Sequence, residues 1–172
     1  MTMYTDPIVW HLDQQLLGEE IQVFMKDSLI DRAHVINQAF SIEDLHQKDM
    51  YNQLSSKEMF AFFRDGNLYE SQAISNVRVV YYPVDEADTT YVGMVRMETE
   101  KLNMFFENQK LLRIWTPKSD GVVYPMSQIP PAKRYLDGFT WFDYVRPLSK
   151  DDVFEWRPKQ GGSELKPTRM LL

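Results

Sequence analysis

Histidine and acidic residues are the first places in this sequence where chemistry could reside. The three histidines are His11, His34 and His46. They stand apart, without the His-x-His or His-Glu-x-x-His spacing that places ligands in metal sites. One acidic group lies near a loop and consists of Asp85, Glu86 and Asp88. It lacks the glycine and the distal glutamate of a calcium loop, so we interpret it as a solvated loop and expect no metal.

Covalent catalysis also lacks its usual residue patterns. The chain has no cysteine, which removes thiolate chemistry, disulfides and cysteine-based metal sites. No serine lies in a Gly-x-Ser-x-Gly elbow, and the 7 glycines form no phosphate-binding or dinucleotide motif. The 25 aspartates and glutamates always offer carboxylate pairs, but no nucleophile and base can be named. We therefore expect a protein that is not an enzyme and needs no cofactor, with a β-sheet hydrolase as the least favoured alternative.

Composition limits the fold and the partners. A chain of 172 residues that is 44% hydrophobic and 13% aromatic has room for one domain with a real core. The net charge of -6, with lysine and arginine scattered along the chain, would repel a phosphate backbone, so nucleic acid is not an expected partner. No stretch approaches the roughly 20 apolar residues of a membrane-spanning helix.

The elements that would carry a binding site repeat three times along the chain. The copies cover residues 20–30, 58–68 and 101–111, and each indicates a strand, a tight turn and a second strand. Turn residues occur at Asp27-Ser28, Asp65-Gly66-Asn67 and Asn108-Gln109. Return strands are predicted over 30–42, 68–82 and 111–115, with bulges or kinks at Asn37 and Asn76 that let the sheet curl. The pattern predicts a mostly β domain of repeated hairpins over residues 1–116.

Alternation along the first strand of each hairpin places one apolar face inward. Its nine positions are Ile21, Val23, Met25, Met59, Ala61, Phe63, Leu102, Met104 and Phe106. On the opposite face one phenylalanine recurs per repeat, which suggests partial burial there too. Such a face is ordinary core in a closed sandwich, but its flexible methionines and large aromatics also suit an adaptable lipid-sized cavity.

The C-terminal third changes character, with prolines and glycines breaking it into short segments. We predict a cap over residues 117–157 that packs on the hairpins, with a short helical turn after Pro130-Pro131 and another between Ser149 and Asp152. An aromatic group within it consists of Phe139, Trp141, Phe142 and Tyr144. This group is either a plug over the end of the sheet or a surface that docks a partner. We expect the polar tail, 158–172, to be disordered.

Several short runs resemble a known family. They are 16–21 (LLGEEI), 26–31 (KDSLID), 51–54 (YNQL), 63–68 (FRDGNL), 75–77 (SNV), 80–82 (VYY), 123–125 (VYP), 130–131 (PP) and 146–154 (RPLSKDDVF). Over about residues 7–156 they resemble the OstA-like proteins of lipopolysaccharide transport in Gram-negative bacteria. The matching runs are structural repeats rather than a catalytic signature, so they specify fold better than activity.

The resemblance implies a curled, V-shaped antiparallel β-jellyroll in the periplasm or cell envelope. Its apolar interior would shelter the acyl chains of lipopolysaccharide or lipid A, and its sheet edges would pair with other lipopolysaccharide-transport proteins. The N-terminal residues 1–6 have no basic region followed by an apolar one, so the resemblance also implies that an export signal is missing from this chain. The alternative is a structural β-scaffold that docks envelope transport proteins through its sheet edges and binds no lipid. The net acidity gives no obvious basic clamp for lipid phosphates.

Overall fold

The computed structural model describes residues 1–85, 87, 89–108 and 110–147. Its strands are β1 (Thr2–Tyr4), β2 (Ile8–His11), β3 (Gln14–Leu17), β4 (Glu20–Lys26), β5 (Leu29–Gln47), β6 (Met50–Arg64), β7 (Asn67–Tyr81), β8 (Gly93–Glu107), β9 (Lys110–Trp115) and β10 (Ser119–Pro125). Short 3-10 helices cover Met126–Gln128, Pro131–Lys133 and Asp143–Val145. The helix predicted at 149–152, the tail 158–172 and residues Glu86, Asp88 and Gln109 lie outside the described part.

All ten strands form one open antiparallel sheet, which confirms the predicted mostly β fold. The long strands β5, β6, β7 and β8 lie side by side at its centre. On one side β3 and β4 pair with successive parts of β5, and β2 and β1 pair in turn with β3 and β4. On the other side β9 and β10 pair with successive parts of β8. The sheet is a curled jellyroll layer rather than a closed barrel.

The three predicted hairpins are present, and the first two have turns with the geometry that their residues favour. The first two turns consist of two residues each at positive φ, Asp27 and Ser28 in one and Asp65 and Gly66 in the other. Positive φ at both positions matches the right-handed twist of the flanking strands. Each hairpin also carries a bulge directly after the second pair from its turn, at Phe24/Met25, Phe62/Phe63 and Phe105/Phe106. The sequence repeat is therefore a structural repeat.

A bend crosses the whole sheet at one level. Register breaks occur between Ile36 and Ala39 on β5, Ser55 and Glu58 on β6, and Ile74 and Val77 on β7. At this level the backbone has positive φ at Asn37, Gln38, Ser75 and Asn76, which confirms the predicted irregularities at the two asparagines. At the two sides of the sheet, the bend coincides with the breaks between strands β3 and β4 and between strands β9 and β10.

The bend divides the sheet into two segments. The part that carries the three hairpin turns is the tip segment, made of β4, β9 and residues 29–36, 58–64, 67–74 and 101–107. The base segment is made of β3, β10 and residues 39–47, 50–55, 77–81 and 93–99, and β1 and β2 extend the tip and base segments respectively. One buried cluster takes Ile21, Met59 and Leu102 from the tip segment and Leu54 and Val77 from the base segment. The two segments therefore share one core on the inner side of the bend.

A second layer covers the opposite face of the base segment. Gln53, Val80 and Arg96 follow one another across neighbouring strands on this face, and the first two are buried. The Gln53 side chain donates a hydrogen bond to the Arg134 carbonyl oxygen and accepts one from the Leu136 backbone, each at 2.8 Å. The Arg96 guanidinium donates to the carbonyl oxygens of residues 133 and 135 at 3.0 and 3.2 Å. Residues 126–136 thus cap the sheet from its outer side.

The sheet extends further along the chain than the repeats indicated. Strand β10 lies within the range 117–157 predicted to be the cap. The strand was not predicted because Pro117 and Pro125 bound it, and prolines are typical of irregular segments. The chain divides into two compact units, residues 1–136 and a unit that begins at Asp137. In the described part of the chain no helix is long and apolar enough to cross a membrane.

Candidate apolar binding site

The nine residues predicted to face inward share one face of the tip segment and fall into three rows across the strands. The row beside the bend contains Ile21, Met59 and Leu102. Met3, Val35 and Ala73 complete it as cross-strand partners. Ile21, Met59 and Leu102 are only 1%, 4% and 1% exposed. This row is closed core, and it holds the two segments of the sheet together.

The middle row is partly open. It contains Val23, Ala61 and Met104, each half-buried. Ala33 lies between Val23 and Ala61 in the cross-strand row, and Ser71 lies between Ala61 and Met104. Ala33 and Ser71 were not predicted to lie on this face, because their small side chains give a weak hydrophobic signal and a bulge lies close to each of them on its strand. Their cross-strand pairing with residues of the first strands places both on the apolar face.

The third row lies beside the hairpin turns and is the most open. It contains Met25, which is 56% exposed, and Phe63 and Phe106, which are half-buried. Their cross-strand partners are apolar in all three hairpins and are Ile30, Leu68 and Leu111. Ile30 and Leu111 are exposed as well. An apolar patch therefore reaches the tips of the hairpins, and such patches on a protein surface usually mark a binding site.

The three rows form a gradient from closed core to exposed apolar surface within one face. A flexible apolar chain could lie against the outer two rows and lose its contact with water, whereas the inner row has no room for it. The side chains of all three rows carry no ionisable group, so this face can bind but cannot transfer protons or hold a metal. Across the described residues, no cluster of three or more histidine, aspartate and glutamate side chains could hold a metal ion.

The opposite face of the tip segment is a different kind of surface. The recurrent phenylalanines lie here, and Arg32 covers Phe24 as Arg113 covers Phe105, each with its guanidinium 4.3 Å from the ring centre. Phe62 packs against Tyr69 instead, with ring centres 6.5 Å apart. Phe62 and Phe105 are half-buried, as expected of the repeated phenylalanine, whereas Phe24 is exposed despite its contact with Arg32. These contacts leave this face mixed in polarity, unlike the inner one.

Two of the histidines have acidic neighbours that sequence spacing did not reveal. His34 lies 2.9 Å from a Glu58 carboxylate oxygen and stacks on Phe60, with ring centres 4.1 Å apart. His46 lies 3.2 Å from an Asp13 carboxylate oxygen. The first pair joins strands β5 and β6, and the second joins β5 to the turn between β2 and β3, so local spacing could not predict them. Each side chain is at least partly exposed to solvent, which is typical of surface pairs rather than catalytic ones.

The aromatic group near the C-terminus ranges from buried to exposed. Phe142 is buried, Phe139 and Trp141 are half-buried, and Tyr144 is exposed. The rings of Phe142 and Tyr144 contact each other with centres 6.3 Å apart. The docking role expected for these four residues remains a prediction.

The sheet edge formed by β9 and β10 is the second candidate surface. Both strands pair only with β8 within the described residues, so their other side offers free backbone groups. Every residue of β9 and all of β10 except Tyr124 are exposed. Val123 in the middle of β10 is 68% exposed. An exposed edge of this kind can pair with a strand of another chain.

The chain has no match among family models, curated proteins or solved structures. The resemblance to OstA-like proteins therefore stays a prediction from the sequence.

Proposed function

We propose that this protein binds lipopolysaccharide or lipid A in the cell envelope and hands it on without chemical change. The observation that supports the proposal is the apolar gradient of the tip segment, whose outer rows are open to solvent. Met25, Phe63 and Phe106 would contact the acyl chains first, and Val23, Ala61 and Met104 would enclose them. The resemblance to lipopolysaccharide-transport proteins is the reason for choosing this lipid and for placing the protein in the periplasm.

Burial of methylene groups would supply the binding free energy. Each methylene of an acyl chain that is removed from water contributes about 0.8 kcal/mol to the binding free energy. Burial of several methylenes is therefore sufficient for a stable complex. Flexible methionine side chains at both ends of the site adapt to chains of different shape, because they have many low-energy rotamers. The absence of directional contacts in these rows suits a carrier that must release its cargo.

A displacement assay tests this proposal. A fatty acid with a fluorescent tail should bind the protein with increased emission, and added lipid A should displace it. Met104→Asp places a charge in the middle row, where it opposes apolar binding, and should weaken the binding of both ligands by at least tenfold. Phe62→Asp, on the opposite face of the tip segment, is the matched control and, with both variants shown to be folded, should bind as the unchanged protein does. Equal binding by all three proteins would contradict the proposal.

A scaffold that binds no lipid is the second candidate, and the exposed edge of β9 and β10 favours it. In this case the apolar rows serve as core, and other envelope transport proteins add strands along β10. Val123→Lys should block such pairing, because lysine on an edge strand disfavours strand addition. Loss of partner binding in Val123→Lys, with no lipid bound by either protein, would favour the scaffold over the carrier.

A further inference from the structure

The middle row of the apolar face has three small side chains at its centre. Ala61 pairs across the strands with Ala33 on one side and with Ser71 on the other. Neighbouring strands lie about 4.8 Å apart, so these three small side chains span roughly 10 Å across the sheet. The larger Val23 and Met104 flank these three residues in the row. The three small residues therefore form the floor of a trough.

The trough ends at a wall on the side of the bend. Met59 stands two residues before Ala61 on β6 and is buried, with Val35 and Ala73 as its buried cross-strand partners. On the other side the trough opens toward Phe63 and the exposed hairpin tips. From Phe63 to Met59 the strand advances about 13 Å. A chain that enters from the tips can pass over Ala61 but meets close-packed side chains at Met59.

We infer that Ala33, Ala61 and Ser71 determine the length of acyl chain that the site encloses, with Met59 as its end wall. This inference rests on the proposed function, since it concerns the depth of the same site. Each added methylene should increase affinity about fourfold as long as the chain still lengthens inside the trough. Once the chain reaches Met59, further methylenes stay in water and add nothing. The site should therefore select chains by length.

Calorimetric titration with unbranched saturated fatty acids, from octanoate to hexadecanoate, tests the inference. For the unchanged protein, the affinity should rise about fourfold per methylene and then level off within this series. Ser71→Leu and Ala61→Leu fill the trough and should move the levelling to shorter chains. Gln72→Leu adds the same side chain to β7 on the opposite face and should leave the series unchanged.

The outcomes separate this inference from the function on which it rests. An affinity that rises steadily up to hexadecanoate would overturn the inference but leave the carrier function standing, and this result needs no variant. Unchanged levelling in the two leucine variants, shown to be folded by circular dichroism, would overturn it in the same way. Failure of the unchanged protein to bind any fatty acid or lipid A would overturn the inference and the carrier function together.

Discussion

The side chain of Gln53 accepts a hydrogen bond from the backbone N–H of Leu136, 2.8 Å away and 83 residues later in the chain. The same amide donates to the carbonyl oxygen of Arg134. One buried glutamine in the sheet thus satisfies two backbone groups of the segment that covers it. This contact fixes the outer layer on the base segment and leaves the apolar rows of the tip segment uncovered by residues 126–136.

Replacing Gln53 should loosen this outer layer. Gln53→Ala leaves the buried Leu136 N–H without its partner, and we expect a loss of about 2–3 kcal/mol in the free energy of unfolding. Urea denaturation measures this loss, and faster tryptic cleavage after Lys133 and Arg134 should accompany it. Gln72→Ala, which removes an amide that bonds Glu70 on the other face of the tip segment, should cost about 1 kcal/mol or less. Equal costs for the two variants would contradict this role of Gln53.

The second prediction concerns Gly18 and Val35, which approach each other closely at the bend. A methyl group added at Gly18 would overlap the Cγ1 atom of Val35, which is buried in the shared core. We expect Gly18→Ala to destabilise the protein by about 1–3 kcal/mol. The double variant with Val35→Ala should lose less than the sum of the two single losses, because the smaller side chain makes room. Strictly additive losses in urea denaturation would show that the two sites do not interact.

Burial of Tyr82 predicts a dependence of stability on alkaline pH. Desolvation raises the pKa of this tyrosine, an effect that the nearby Arg134 partly opposes and Tyr135 reinforces. Below pH 10 the phenol is neutral in both states, so it adds no pH dependence there. Above pH 10 it ionises in the unfolded chain before it does so in the folded one, and stability should fall as the pH rises.

Tyr82→Phe isolates this effect. The variant should lose less stability than the unchanged protein between pH 9 and pH 11 in thermal denaturation. At neutral pH it should be as stable or slightly more stable, because the buried hydroxyl has no hydrogen-bond partner among the described residues. A marked loss of stability at neutral pH, or an alkaline decline as steep as before, would contradict this account of Tyr82.

Local turn and strand chemistry predicted the repeated part of the fold. Pairs such as Asp65-Gly66 tolerate positive φ and therefore specify a hairpin without help from the rest of the chain. Asn37 and Asn76 marked the bend for the same reason. Strand β10 escaped prediction because its place depends on pairing with β8, and Pro117 and Pro125 conceal the short strand between them.

The sequence predicted which residues share the apolar face, but not how their exposure to solvent increases from the bend to the hairpin tips. Alternation says which way Met25 and Ile21 point, yet one is exposed and the other buried, because only Ile21 lies where the sheet bends back on itself. Depth within a face depends on tertiary folding rather than on local pattern. Ala33 and Ser71 escaped attention because small side chains on the return strands give a weak hydrophobic signal.

Native mass spectrometry of the protein titrated with lipid A is the most direct test of the carrier function. Phe63→Asp places a charge in the open row of the apolar face, and Phe62→Asp places the same charge one residue away on the opposite face. With both variants shown to be folded, we expect a saturable lipid A adduct in the unchanged protein and in Phe62→Asp, and its loss in Phe63→Asp. No adduct at any concentration, or an adduct that persists in Phe63→Asp, would contradict the proposal that this face carries lipid.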